Sequence, residues 1–316
     1  MFALGTFSGP DGARFPALVR DGRVVAVETA HSVLELLADW ETSLRALSRA
    51  ADEASFDDAV PMTELRVHAP VDVPRQLFFT GANYRKHVVD LTIDQGIGPA
   101  GLTGDELRRW AEQMMDERVA NGIPYSFLKA PSSIIGAFDD LALPATTTKP
   151  DWELELGVII GRGGRNIHRD DAMAHVAGYA IVNDVSARDL IARTDYAMLG
   201  TDWLRAKSQP GFCPFGPLLV PAAFVADPYD LRLLLTINGQ PMQDETTADM
   251  LFDIARQIEY VSTYAELWPG DLISTGSPAG NGTHHGRFLR DGDVVEASIT
   301  GLGMQRNRCV GTSSVA

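Results

Sequence analysis

Cysteine is nearly absent: Cys213 and Cys309 are the only two in 316 residues. A chain this long buries a full core without staples, so a disulfide scaffold is excluded, and both thiols are expected to be reduced in a cytoplasmic setting. Positive charge is also scarce, with 27 Lys and Arg against 42 Asp and Glu and a formal net charge of −15. Such a surface repels phosphate backbones and anionic bilayers, so neither nucleic acid nor membrane is an expected partner. No apolar run approaches the roughly 18 residues of a membrane-spanning helix. The opening "MFALGTFSGPDGARFPALV" lacks the charged-then-apolar order of a secretory leader. Regular alternation of strand and helix patterns is missing, which argues against a doubly wound sheet. In "GVIIGRGGRNI", Asn166 stands where the last glycine of a dinucleotide fingerprint belongs. The loop "TGSPAGNG" lacks a phosphate-binding lysine, and both segments read as turns.

What is present is an ordinary globular composition, 45% hydrophobic. Residues 1–70 read as a small α+β module. In it, "RFPALVRDGRVVAVE" is a hairpin about Asp21-Gly22, and "SVLELLADWETSLRAL" carries apolar residues at helical spacing. From 71 to 316 strand patterns dominate. One helix is expected over 104–119, opened by a capping box of Thr103 and Glu106. Another is expected from about Asp249, and Asn-Gly in "INGQ" marks a hairpin.

The segment "PDWELELGVIIG" sets Glu153 and Glu155 on one face of an otherwise apolar strand. A solvated edge strand would carry the same pattern; a buried one would need a cation to offset two adjacent carboxylates. "GYAIVNDVSARDL" ends an apolar run on Asp184, which fits either a helix cap or a cleft residue. Three oxygen donors without thiolate or imidazole suit Mg²⁺ or Mn²⁺ better than zinc, and leave about half an octahedral shell open. In "GANYRKHVVD", His87 and Asp90 have the spacing of helical neighbours, as a general base with its orienting carboxylate or as an accidental surface pair. Lys129 and Lys207 lie in apolar, proline-bounded contexts that sit uneasily with surface lysines.

In the order "GANYRKH", "FLKAPSS", "DWELELGVIIG", "GYAIVNDVSARDL", "KSQPGFCPFGP", "PGDLISTGSPAGNG" and "GDVVEASITGLG", the chain resembles the fumarylacetoacetate hydrolase family over residues 72–308. The resemblance implies an α+β, mostly β fold: a mixed β-roll catalytic domain with few helices behind a small N-terminal domain, assembled as a homodimer. It implies Mg²⁺ or Mn²⁺ on Glu153, Glu155 and Asp184, and a small oxo-acid substrate. By the same resemblance, His87 and Asp90 activate water, Lys129 meets a developing oxyanion or carbanion, and Arg188, Lys207 and Thr275 hold substrate. Members commonly have Glu where Asp90 stands. A hydrolase cleaving a C–C bond in a 2-oxo or β-diketo acid is expected first. A decarboxylase or tautomerase of a 2-oxo diacid follows, and more remotely a non-catalytic binding protein of the same fold. By the resemblance, the helix at 104–119, within the insertion 91–126, lies where members carry a flexible lid and is expected to shape selectivity, and His284 and His285 are expected to lie on the surface.

Overall fold

The computed structural model describes residues 1–312. The chain opens with β1 (Ala3–Ser8), β2 (Arg14–Arg20) and β3 (Arg23–Ala26). Asp21 and Gly22 both take positive φ, 50° and 73°, which turns the β2–β3 hairpin with the right-handed twist of its strands. The expected single helix is two, α1 (Val33–Leu37) and α2 (Trp40–Glu53). Asp39 divides them because its carboxylate accepts the Thr42 amide at 3.4 Å and starts a new helix. Short strands β4 (Val60–Pro61) and β5 (Arg66–Val67) complete a five-stranded sheet in the order β4-β3-β2-β1-β5.

Next come β6 (Leu77–Gly81), α3 (Arg85–Asp94), α4 (Gly104–Asn121) and β7 (Tyr125–Leu128). Thr103 is the N-cap of α4, but its hydroxyl accepts no amide; Gly104 at φ 52° turns the first residue away from the capping-box geometry. Short strands β8 (Ile134–Gly136), β9 (Leu141–Leu143) and β10 (Pro150–Asp151) lead to β11 (Leu154–Ile160). After α5 (Arg169–Ala172) follow β12 (Val176–Asn183), β13 (Ser186–Ala187), α6 (Trp203–Lys207), β14 (Cys213–Phe215) and β15 (Val220–Pro221). The β16 (Arg232–Ile237) and β17 (Gln240–Thr246) hairpin turns on Asn238-Gly239. Helix α7 spans Ile254–Tyr264, later than expected, because the Asp253 carboxylate caps it through the Arg256 amide at 2.7 Å. The chain closes with β18 (Leu272–Ser274), α8 (Gly282–His285), β19 (Val294–Ile299) and β20 (Gly303–Gly311).

The central sheet runs β7-β6-β18-β11-β12-β14-β8, with β15 also paired to β12. A second large sheet runs β17-β16-β19-β20-β9. Strands β11 and β12 are buried on both faces, and their apolar residues pack against Leu233, Leu235 and Ala297 of the second sheet. The N-terminal sheet shares a core with the central one: Leu4, Leu18 and Leu37 cluster with Leu77, Phe79, Val182 and Phe215. Strand direction then places the site. Because β12 and β18 both run antiparallel to β11, the end of each lies beside the start of β11. The parallel pairing of β6 with β18 brings Gly81, and α3 just after it, to the same end. Both cysteines are free and buried. Among the described residues no helix is long and apolar enough to cross a membrane.

Candidate metal centre

Glu153 stands just before β11, Glu155 is its second residue, and Asp184 follows the last residue of β12. The paired ends are locked by the Asp184 amide donating to the Glu153 carbonyl at 2.8 Å. The Glu153 amide donates to Asn183 Oδ1 at 2.9 Å. One carboxylate oxygen from each of the three acids lies within 4.8 Å of the others, and all three residues are buried.

Three cations surround them. Lys129 donates to Asp184 Oδ1 at 2.6 Å and also to the Val185 and Phe212 carbonyls. Lys207 bridges Glu153 Oε2 and Asp184 Oδ2. Arg188 spans Glu153 Oε1 at 2.5 Å and Asp151 Oδ2 at 2.8 Å. Asp151, fully buried, takes the Gly282 amide as well and so ties this network to α8. Sequence reading missed Asp151, although it alternates with Glu153 and Glu155 on the same run.

Among the described residues Glu155 has no cationic neighbour within hydrogen-bond reach. Its Oε2 accepts from the Ser274 hydroxyl at 2.5 Å and the Gly276 amide at 3.0 Å. Burial, then the charges of Asp184 and Glu153, push its carboxyl well above the usual range. Burial acts the same way on Glu153, but Arg188 and Lys207 outweigh it and hold that carboxyl low. With all four buried carboxyls ionised they would meet three cations and leave one negative charge uncompensated, which is the charge that Glu155 resists carrying. A hard divalent cation on Glu153, Glu155 and Asp184 would reverse that sign, and the all-oxygen donor set fits Mg²⁺ or Mn²⁺.

Above the acids lies a cavity of about 280 Å³. Its lining includes Glu153, Glu155, Asp184, Arg188 and Lys207 from the strand ends and α6, His87, Val88, Leu91, Thr92, Gln95 and Ile97 from α3 and the turn after it, and Phe127 and Trp203. Phe127 and Trp203 stack at 5.0 Å. Burial pushes the His87 imidazole down to about 3; Glu153 pulls it up, and Arg188, His284 and Lys207 push it further down, so the ring is neutral.

Five expectations are corrected. Asp90 is not the partner of His87: it faces α4, where both terminal nitrogens of Arg108 reach its carboxylate at 3.4 Å. Helical neighbours three apart still diverge in direction, and the arginine captured this one. Instead His87 Nδ1 meets His284 Nε2 at 3.2 Å, and His284 Nδ1 meets Asp94 at 3.2 Å. His284 is therefore not a surface residue: its side chain is 11% exposed. His285 is exposed, as expected. Lys129 lies behind Asp184 rather than in the cavity, and Thr275 donates its hydroxyl to the Leu156 carbonyl at 3.0 Å; Ser277 lines the cavity in its place. Helix α4 supplies none of the lining residues. It braces α3 through Ala111 and Met115, which cluster with Val89, and the wall itself is 87–97.

The sequence profile of the fumarylacetoacetate hydrolase C-terminal family matches residues 76–310. The chain belongs to that family. It is 34% identical over 281 residues to the mitochondrial oxaloacetate tautomerase of Bos taurus, covering 88% of this chain and 80% of that one. It is 44% identical over 188 residues to a 2,4-didehydro-3-deoxy-L-rhamnonate hydrolase of Sphingomonas, covering 58% and 64%. A solved fumarylacetoacetate hydrolase from Exiguobacterium antarcticum superposes with a TM-score of 0.75 at 32% identity, over 99% of this chain and 100% of that one.

Proposed function

We propose that this protein is a divalent-metal-dependent hydrolase that cleaves a C–C bond in a small 2-oxo or β-diketo acid, of the acylpyruvate or fumarylacetoacetate kind. The observation that carries this is one cavity holding three convergent carboxylates and a neutral buried histidine. Bound Mg²⁺ or Mn²⁺ would supply Lewis acidity toward a chelating 2-oxo acid. The protein's own residues do the rest. Arg188 fixes Glu153, and Lys129 fixes Asp184, so the donor oxygens stay convergent. Lys207 is a cation on the cavity lining and is the group to receive a substrate carboxylate. His87 takes the proton of the attacking water, and Val88, Leu91, Ile97 and Trp203 exclude the rest of the solvent. A homodimer in a cytoplasmic setting belongs to the same reading, and light scattering on the purified chain tests the dimer.

A panel of acylpyruvates, oxaloacetate and ring-opened aromatic acids, assayed with Mg²⁺ or Mn²⁺, tests the reaction. Stoichiometric pyruvate from an acylpyruvate supports hydrolysis; no cleavage of any member of the panel overturns it. His87→Ala is expected to keep metal binding and to lower turnover by about 10²–10⁴-fold. A tautomerase is the second reading, favoured by the departure of Asp90 from His87, which leaves a base suited to moving a proton on the substrate itself. It predicts loss of enol absorbance without any new carbon fragment.

A further inference from the structure

The mechanism above leaves one feature unused: a file of three side chains from the cavity to the surface. His87 comes from α3, His284 from α8, and Asp94 from the last position of α3. The links are 3.2 Å from His87 Nδ1 to His284 Nε2 and 3.2 Å from His284 Nδ1 to Asp94 Oδ2. The two imidazoles meet edge to face, 5.4 Å between ring centres. Burial falls outward along the file: His87 is 7% exposed, the His284 side chain 11%, and the Asp94 side chain 52%.

With both imidazoles neutral, one pattern of protons satisfies every contact. The Asp94 carboxylate accepts from the Nδ1–H of His284. His284 Nε2 then has only a lone pair, so it accepts from the Nδ1–H of His87. That leaves a lone pair on His87 Nε2, the atom a base needs. Asp90, the carboxylate three residues after His87, plays no part, being held by Arg108.

Taking the hydrolase or tautomerase reading as its premise, we propose that His284 and Asp94 are positioning residues for His87, fixing its tautomer and carrying its proton toward solvent. When His87 Nε2 takes a proton from water or substrate, the Nδ1 proton passes to His284 Nε2. The positive charge then rests on His284, beside the Asp94 carboxylate. One proton enters at Nε2 and one leaves at Nδ1; no electrons move, and the reverse passage resets the base.

The test reads tautomers as well as turnover. In protein labelled with ¹⁵N-histidine and held with Mg²⁺, long-range ¹H–¹⁵N spectra should show His87 protonated at Nδ1. His284→Ala should scramble that tautomer and lower kcat on the order of 10–100-fold, with KM and Mg²⁺ affinity little changed. His284→Gln retains an acceptor for His87 Nδ1–H but passes no proton, so it should restore the tautomer and not the turnover. Asp94→Asn, half-exposed and safe for folding, should cost more turnover than Asp90→Asn. An unchanged His87 tautomer in His284→Ala, or a larger loss from Asp90→Asn, overturns the proposal. Should His284→Ala fail to fold, the glutamine variant and the two aspartate variants decide alone. A wild-type protein inert toward every acid of the panel refutes the premise, whereas the tautomer spectra judge the positioning separately.

Discussion

The cavity's two sides are built on opposite principles. Its floor comes from strand ends: Glu153, Glu155, Asp184, Arg188 and Lys207 each reach a partner buried in the same network. Its wall comes from helix α3 leaning on α4, and the ion pairs there are open to water. Arg85–Asp116 and Arg108–Asp90 have side chains 35/67% and 48/25% exposed, against 0/1% for Lys129–Asp184. A buried ion pair fails badly when one partner is lost, whereas an exposed one barely registers. The floor is thus a rigid unit fixing the chemistry, and the wall is free to vary and to select the substrate's distal group. The relatives' names, a tautomerase, a hydrolase and an isomerase, differ in the way such a division would allow.

Breaking the floor should give the largest effects. Glu155→Gln keeps the shape but removes a charge from the donor set. It should abolish Mn²⁺ binding by calorimetry and cost several kcal/mol of transition-state stabilisation, roughly 10³-fold or more in turnover. The wild type should gain about 2.7 kcal/mol of stability at 100 times the metal's Kd, seen as a raised Tm that chelator reverses, and the variant should gain none. Lys129→Met strips the buried cation from Asp184 Oδ1, leaving Lys207 on Oδ2 alone, and loss of about 3–5 kcal/mol in denaturant unfolding is expected. A loss below about 1 kcal/mol would place Lys129 with the wall pairs and end the contrast.

The floor was readable because a strand's period of two dictates side, and because burial of both β11 and β12 forces them to be neighbours. Glu153, Glu155 and Asp184 therefore converge as their local patterns imply. Asp151 was legible by the same period and was overlooked. The wall was not readable in this way. Asp90 and His87 share a helix, yet which one enters the cavity depended on Arg108. His284 lies 197 residues from His87, and nothing local announces that contact. Thr275 failed similarly: its loop is correct, but whether a hydroxyl faces a cavity or the Leu156 carbonyl is decided by the turn at Gly276, φ 96°.

Smaller effects should come from the wall, and they sharpen the contrast by their kind as well as their size. Leu91→Ala enlarges the cavity where no charge is touched. It should shift the ratio of kcat/KM between acids with short and long distal groups by about 1–3 kcal/mol, leaving metal affinity alone. The smallest effect belongs to Asp90 and Arg108. The contact is long at 3.4 Å and partly wet, so a double-mutant cycle of Asp90→Asn with Arg108→Gln should yield a coupling of about 0.2–1 kcal/mol in denaturant unfolding. It should shrink further in 1 M salt, where screening reaches within about 3 Å. A coupling above about 2 kcal/mol that resists salt would mean the wall is locked like the floor, and α3 would then be part of the rigid machinery rather than the element that adapts.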